Sequence, residues 1–295
     1  MPLHSEILQR RPNTLMARPT TVDFTKMHGA GNDFLVLDNR SYGFEDDALS
    51  ALAATWCPRR YGVGADGLLA LNAPEDGAVD FRMRYVNADG SWATMCGNGA
   101  RCLARFATAV GAAEGRMAFE TDAGRYHAEL QDDDRVRLFV PPATRTVLNI
   151  TLSEPLPEGL DAVHFTHTGT EHLVAFVRDL DAMPVEPWGR RLRRDPTLAP
   201  AGANVNFVAG PDGDERTVRV RTYEKGVEAE TLACGTGVLA AAELAEQTSR
   251  VRGTPITVEA QGGTLQVGTT TTREGEQRYL EGPVVTVFHG TLSLA

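Results

Sequence analysis

Two nine-residue stretches set a cysteine in the same context: "TMCGNGARC" at residues 94–102 and "LACGTGVLA" at 232–240. In each, the cysteine precedes glycine, a small polar residue and a second glycine, and the chain then takes up helical spacing. A helix start carries unpaired backbone N–H groups and the positive end of the helix dipole. Such a place binds an anion and lowers the pKa of a nearby thiol. Glycine lets the backbone come close to a ligand. Two such stretches facing each other would hold a carboxylate between two helix starts, with a thiol on either side. Inversion of a stereocentre needs that arrangement: one base removes the α-proton, and one acid returns a proton to the opposite face. A thiol suits both roles, because its reference pKa of about 8.5 lies near neutrality. The developing charge on carbon would be stabilised by N–H groups aimed at the carboxylate.

No nicotinamide fingerprint, phosphate-binding loop or metal-ligand cluster accompanies the cysteines, and neither of the two lysines, Lys26 and Lys225, is marked as a Schiff-base residue. The expected chemistry uses no cofactor and no metal. The other two cysteines, Cys57 and Cys102, read as small buried hydrophobes. Cys102 falls inside a helix whose apolar face is already drawn. His28 and His172 flank glycine-rich turns and read first as structural residues, and Asn32 and Asp33 as turn-shaping ones. The charged runs "QDDDR" and "WGRRLRRD" read as solvated surface.

The elements that must position these cysteines come in duplicate. Cys96 and Cys234 are 138 positions apart (234 − 96), and the same shift carries Gly31 to Gly169, Leu35-Val36 to Leu173-Val174, Gly64-Ala65 to Gly202-Ala203 and Tyr85 to Tyr223. The chain is expected to fold as two homologous lobes, with equivalent cysteines. "FLVLD", "VDFRMRY", "RVRLFV", "HLVAFV", "NVNFVA" and "TVRVRTY" are strand-like runs. "GARCLARFATAV" puts Leu103, Phe106, Ala107 and Val110 on one helix face, and "GVLAAAELAEQ" does the same with Val238, Ala241, Ala242 and Ala245. "EDDALSALAATWC" reads as a third helix with an acidic start. The expected fold class is α+β: two lobes, each a mostly antiparallel sheet rolled around a central helix. The expected boundaries are a loose tail over 1–21, lobe one over 22–140 and lobe two over 141–283. The final strand, within 284–295, is expected to return to lobe one.

At 295 residues the chain has room for two such cores, and its net charge of −10 argues against nucleic acid or an anionic membrane as partner. No apolar run is long enough to cross a membrane, and residues 1–24 have no secretory apolar region. With no paired CxxC spacing, the thiols are expected to be reduced, in a cytoplasm.

Taken together, "KMHGAGNDF", "GVGADG", "YVNADGS", "CGNGARC", "NVNFV", "YEKG" and "ETLACGTG" closely resemble diaminopimelate epimerase, from about Thr21 onward. The resemblance implies interconversion of LL- and meso-diaminopimelate without pyridoxal phosphate, in lysine and peptidoglycan precursor synthesis, by a homodimer. It implies Cys234 as proton acceptor and Cys96 as proton donor in the LL-to-meso direction. It assigns substrate contacts to Asn32, Asn87, Gly97, Asn98, Asn204, Glu224, Lys225, Gly235 and Thr236, with Gly67 and Thr170 at two further contact positions. His172 and Glu224 match residues that tune the thiols. Four departures stand out. Gly169-Thr170-Glu171-His172 replaces the frequent Gly-Asn-Pro-His. Lys225 stands where Arg is usual, and Gly67 where some members have Gln. "GVEAETLAC" is one residue longer than the common form. The rival readings are a proline or hydroxyproline racemase, which usually has His at the place of Asn98, a phenazine-type isomerase without the cysteine pair, and a non-catalytic thiol or amino-acid-binding protein.

Overall fold

A computed structural model describes residues 20–75, 77–156, 158–160, 162–210, 215–272 and 275–294. The expected tail lies outside the described residues, apart from its last two positions. Thr21, at its end, is already paired with Ser293 in the first strand.

The first half runs β1 (Thr21–Gly29), β2 (Asn32–Asp38), the short α1 (Asn39–Tyr42), α2 (Asp46–Trp56), β3 (Gly67–Asn72), β4 (Phe81–Asn87) and β5 (Trp92–Ala93). It continues with α3 (Gly97–Ala109), β6 (Arg116–Thr121), β7 (Gly124–Leu130), β8 (Arg135–Val140) and β9 (Thr144–Val147). The second half repeats this series: β10 (Val163–His167), β11 (Glu171–Phe176), α4 (Val185–Leu192), β12 (Asn204–Ala209), β13 (Thr217–Glu224) and β14 (Ala229–Thr231). It ends with α5 (Gly235–Gln247), β15 (Ile256–Ala260), β16 (Gly263–Thr272), β17 (Gly275–Pro283) and β18 (Val285–Ser293).

Pairings repeat as well. The β2–β3 pair is parallel, as is β11–β12; β4 lies parallel to β6, as β13 does to β15. The other pairs are antiparallel. The halves are stitched together three times: β9 pairs with β10, β18 with β1, and β8 with β17. The result is an α+β fold of two homologous lobes, each a mostly antiparallel sheet around one central helix.

The central helices follow from their sequences. α3 buries Leu103, Phe106 and Ala107 against Phe34, Leu69, Phe119 and Leu138. α5 is alanine-rich, so strands approach it closely; Ala240, Ala241, Ala242 and Ala245 are wholly buried. Each fully buried Leu or Phe on these faces contributes about 1.5–3 kcal/mol of transfer free energy. A second layer lies outside each sheet, under α2 (Leu49, Ala53, Trp56) and under α4 (Val185, Leu192). β12, sandwiched between α5 and α4, has six buried residues in a row instead of an alternating pattern. The run "WGRRLRRD", expected to be solvated surface, supplies much of α4, with Leu192 buried and its arginines on the outer side bridged to Glu154, Glu186 and Glu228.

Candidate active site

Each cysteine caps its central helix in extended backbone: Cys96 at φ −140° and Cys234 at φ −103°. The Cys96 Sγ accepts from the Gly99 N–H at 3.5 Å, and the Cys234 Sγ lies 3.4 Å from the Thr236 hydroxyl. The two helix starts meet. A Cβ added to Gly235 would lie 3.9 Å from the Gly97 Cα, and Leu280 packs beneath both glycines. Between the lobes opens a cleft of about 1300 Å³, lined by both cysteines and by Gly97, Asn98, Gly235 and Thr236. The same cleft is lined by Asn32, Asn87, Thr170, Asn204, Glu224 and Lys225.

Local structure explains the placements. Asn32 follows a two-residue hairpin turn, Ala30-Gly31, with φ of 52° and 82°. Positive φ at both positions is the geometry that matches strand twist, and it asks for glycine or a strained residue. The turn's tip pushes into lobe two: a Cβ on Gly262 would come within 2.0 Å of the Ala30 carbonyl oxygen. From lobe two, the turn before β11 reaches α5, where the Thr168 hydroxyl donates to the Thr236 carbonyl at 2.8 Å.

Two expected site residues, the substrate contact Gly67 and the thiol-tuning His172, lie behind the wall instead of in it. Gly67 is buried in β3, where a Cβ would strike the Val86 carbonyl oxygen at 2.6 Å and the Tyr85 ring at 2.7 Å. His172 is fully buried in β11, with Nδ1 3.1 Å from the Asn206 amide and Nε2 without a hydrogen-bond partner among the described residues. Burial, helped by the nearby Lys225 charge, pushes the imidazole down to about 3, so it is neutral at working pH.

The Asn98 side chain is fully committed. Its amide hydrogens go to Asn32 Oδ1 at 3.2 Å and, across the lobes, to the carbonyl of Ala233 at 3.1 Å; its oxygen accepts from Arg101 at 2.9 Å. With both amide hydrogens taken, a ligand's acceptor atoms can meet only the backbone N–H of Asn98. Arg101 is wholly buried with no acidic partner among the described residues, and burial pushes its guanidinium down to about 10. Asn32 also accepts from the Cys96 thiol at 3.5 Å and donates to Asp66 at 2.7 Å. Asp66 is in turn held by Arg59, which also grips Asp33. Asp66, Arg59, Arg101, Thr168 and Thr231 are not singled out from sequence, although Asp66, Arg101 and Thr231 stand inside the quoted motifs.

Electrostatics run against the simplest reading of a helix start. Burial pushes the Cys234 thiol up to about 12, and the Glu224 carboxylate adds to the rise. Burial also raises Cys96, against the pull of the Gly99 and Asn98 N–H groups. The helix starts act in the expected direction, but desolvation outweighs them. Glu224 is itself raised by burial, opposed by the Thr231 hydroxyl, which donates at 2.9 Å. Among the described residues, no group of three or more His, Cys, Asp or Glu side chains is placed to hold a metal ion.

Known proteins share both the sequence and the fold. The sequence model of the family described as diaminopimelate epimerase matches residues 24–144 and 164–287. A diaminopimelate epimerase from Chlorobaculum tepidum is 39% identical over 275 residues, covering 91% of this chain and all of that protein. One from Methanothrix thermoacetophila is 39% identical over 283 residues, covering 92% of this chain and 96% of its own. Among solved structures, a Bacillus anthracis phenazine biosynthesis protein of the PhzF family superposes with a TM-score of 0.72 at 16% identity, covering 93% of this chain and 99% of its own. An Agrobacterium vitis hydroxyproline epimerase, solved with trans-4-hydroxy-L-proline, gives 0.61 at 18% identity, covering 95% and 94%. At these identities the solved structures show the shared two-lobed fold. The family match over both halves, and relatives aligned nearly from end to end, place the chain in the diaminopimelate epimerase family.

Proposed function

We propose that the protein interconverts LL- and meso-2,6-diaminopimelate, an isomerisation at one α-carbon in lysine and peptidoglycan precursor synthesis, and that it does so in the cytoplasm. The observation that carries this reading is the pair of cysteines capping two helix starts that meet in one cleft. The substrate's carboxylate lies against the N–H groups of Gly97, Asn98, Gly235 and Thr236, where it meets two positive dipole ends. In the LL-to-meso direction, Cys234 as thiolate takes the α-proton and becomes a thiol, while the Cys96 thiol gives its proton to the opposite face and becomes the thiolate. The reverse reaction exchanges the roles. Both thiols sit above their ordinary range when buried beside Glu224. The substrate's α-ammonium supplies the opposing charge, so the reactive thiolate forms with substrate in place. Glu224 and the neutral His172 tune the thiols, and Asn32, Asn87, Asn204 and Lys225 hold the substrate.

The lobes of this reading are 22–140 with 284–295, and 141–283. The protein works as a homodimer, for which β18 offers a face: Val285, Val287 and Phe288 are all more than two-fifths exposed. The test is to incubate purified protein with LL-diaminopimelate in D₂O. Meso product carrying deuterium at the inverted carbon is expected. Binding without α-proton exchange, or turnover of proline but not of diaminopimelate, would overturn the reading.

A further inference from the structure

The cleft wall contributed by lobe two holds an ion pair. Lys225 Nζ lies 2.7 Å from Glu171 Oε2, and the Thr170 hydroxyl donates to the same oxygen at 3.1 Å. Lys225 and Thr170, the two partners of that oxygen, line the cleft; Glu171 stands directly behind them, with its side chain still 21% exposed. Asn204 fixes the frame from behind: its oxygen accepts from the Lys225 backbone N–H at 2.7 Å, and its amide donates to the Glu171 carbonyl at 3.2 Å. Neither charge is buried away, since the side chains keep 24% and 21% exposure. Arg59 is the other lining cation, but Asp33 and Asp66 already hold it. Among the described residues Lys225 has a single acidic partner, and it carries three N–H donors.

The geometry points to Glu171 as a specificity-determining residue that, with Lys225, binds the non-reacting end of the substrate as a zwitterion. That end carries a carboxylate and an ammonium on one carbon. Laid over the pair, the carboxylate takes a spare Lys225 N–H and the ammonium donates to Glu171, so each of the four charges borders opposite ones. A substrate whose far end is only a carboxylate would meet Lys225 but also face Glu171, a like charge with nothing to offset it. Burial alone would raise the Glu171 carboxyl, but Lys225 brings it down to about 2, so it carries its charge throughout the working range. Thr170 spends its one hydrogen on Glu171 and orients the carboxylate, so its hydroxyl can meet substrate only as an acceptor.

This inference rests on the epimerase reading, and the experiment separates the two. Compare kcat/KM for LL-diaminopimelate and for L-2-aminopimelate, which lacks the far amine, in wild type, Glu171→Gln and Glu171→Asp. Inactivity of the wild type on diaminopimelate would sink the epimerase reading itself. With an active wild type, Glu171→Gln is expected to shrink the preference for diaminopimelate by about tenfold or more, the worth of one charge-assisted hydrogen bond. The loss should fall mainly in KM for diaminopimelate, with aminopimelate turnover held or improved. Glu171→Asp keeps the charge and should keep most of the preference. Equal losses on both substrates, no change in preference, or an Asp variant as indiscriminate as the Gln variant would each overturn the assignment.

Discussion

At the scale of single residues, chemistry and packing divide the four cysteines. Cys96 and Cys234 cap helices in the cleft, whereas Cys57 and Cys102 are buried in the two layers of lobe one. Replacing Cys96 or Cys234 by Ser should cost about 10²-fold or more in turnover, the usual worth of a positioned acid or base, with the melting temperature little changed. Cys102→Ala should instead cost about 1 kcal/mol of stability and spare the turnover of the folded fraction. A Cys234→Ser enzyme at near-normal rate would end the paired-thiol mechanism. His172 gives a prediction in pH. It stays neutral down to about 3 in the folded chain, while an unfolded histidine protonates near about 6.5. As pH falls, the unfolded chain binds that proton first, so stability present above about 6.5 is lost progressively toward 3, by up to about 1.4 kcal/mol per pH unit. His164, also lowered by burial, acts in the same direction. Urea unfolding at pH 7 and pH 5 should therefore show a smaller loss for His172→Gln than for wild type; equal losses would refute the assignment. The cysteines and the amides around them were legible in sequence because glycine-rich helix starts announce themselves. That His172 and Gly67 stand behind the wall was not legible, because their burial is set by neighbouring strands and by the Tyr85 ring, far along the chain.

Helices and strands were read best where their periodicity was strong. α2, α3 and α5 all fall where apolar spacing put them, and β2, β8, β11, β12 and β13 match continuous or alternating runs. β16, with the sequence GTLQVGTTTT, has little apolar contrast, and its pairing with β15 and β17 defines it instead. α4 is hidden under its charge, because only Val185, Gly189 and Leu192 are buried, with Trp188 packed partly against the same core. Gly189 lies there against Tyr223, where a Cβ would come within 2.3 Å of the Tyr223 Cβ. The start of α5 is as tightly fitted. A Cβ on Gly237 would lie 2.4 Å from Asn206 Oδ1, and Asn206 is tied to Leu173, His172 and Thr222 and cannot move aside. Gly237→Ala should therefore destabilise the protein by about 1–3 kcal/mol and lower turnover in the folded fraction by shifting the helix that Cys234 caps. Thermal unfolding and activity, measured together, check this; a variant as stable and active as wild type would show that the helix start has slack.

At the scale of the whole molecule, the two lobes bring their thiols to one cleft while sharing one hydrogen-bonded sheet. Mild oxidant should inactivate the enzyme reversibly through a Cys96–Cys234 crosslink, because thiols that flank one carbon can reach disulfide geometry after a small movement of the lobes. Bound diaminopimelate should protect, and reductant should restore activity. Peptide mapping that found Cys57 or Cys102 crosslinked, with Cys96 and Cys234 free, would contradict the arrangement. The duplication at a 138-residue shift was legible from a few glycines and apolar pairs, but the stitching was not, since no sequence pattern says which half a strand will join. Glu281 marks one seam: only 6% exposed, it sits on β17 and takes Arg135 and Arg137 from β8. A second of the three, β18 against β1, pairs Thr21 with Ser293. During vectorial synthesis β1 emerges with β2, one of its partners, close behind it, and β18, the other, far later. Lobe one therefore leaves the ribosome with one side of β1 unpaired, and that side stays open until the second lobe and β18 have been made. Contacts this distant in sequence fold slowly and leave strand edges open to aggregation. The cell has to protect an unfinished first lobe for as long as the second takes to be made.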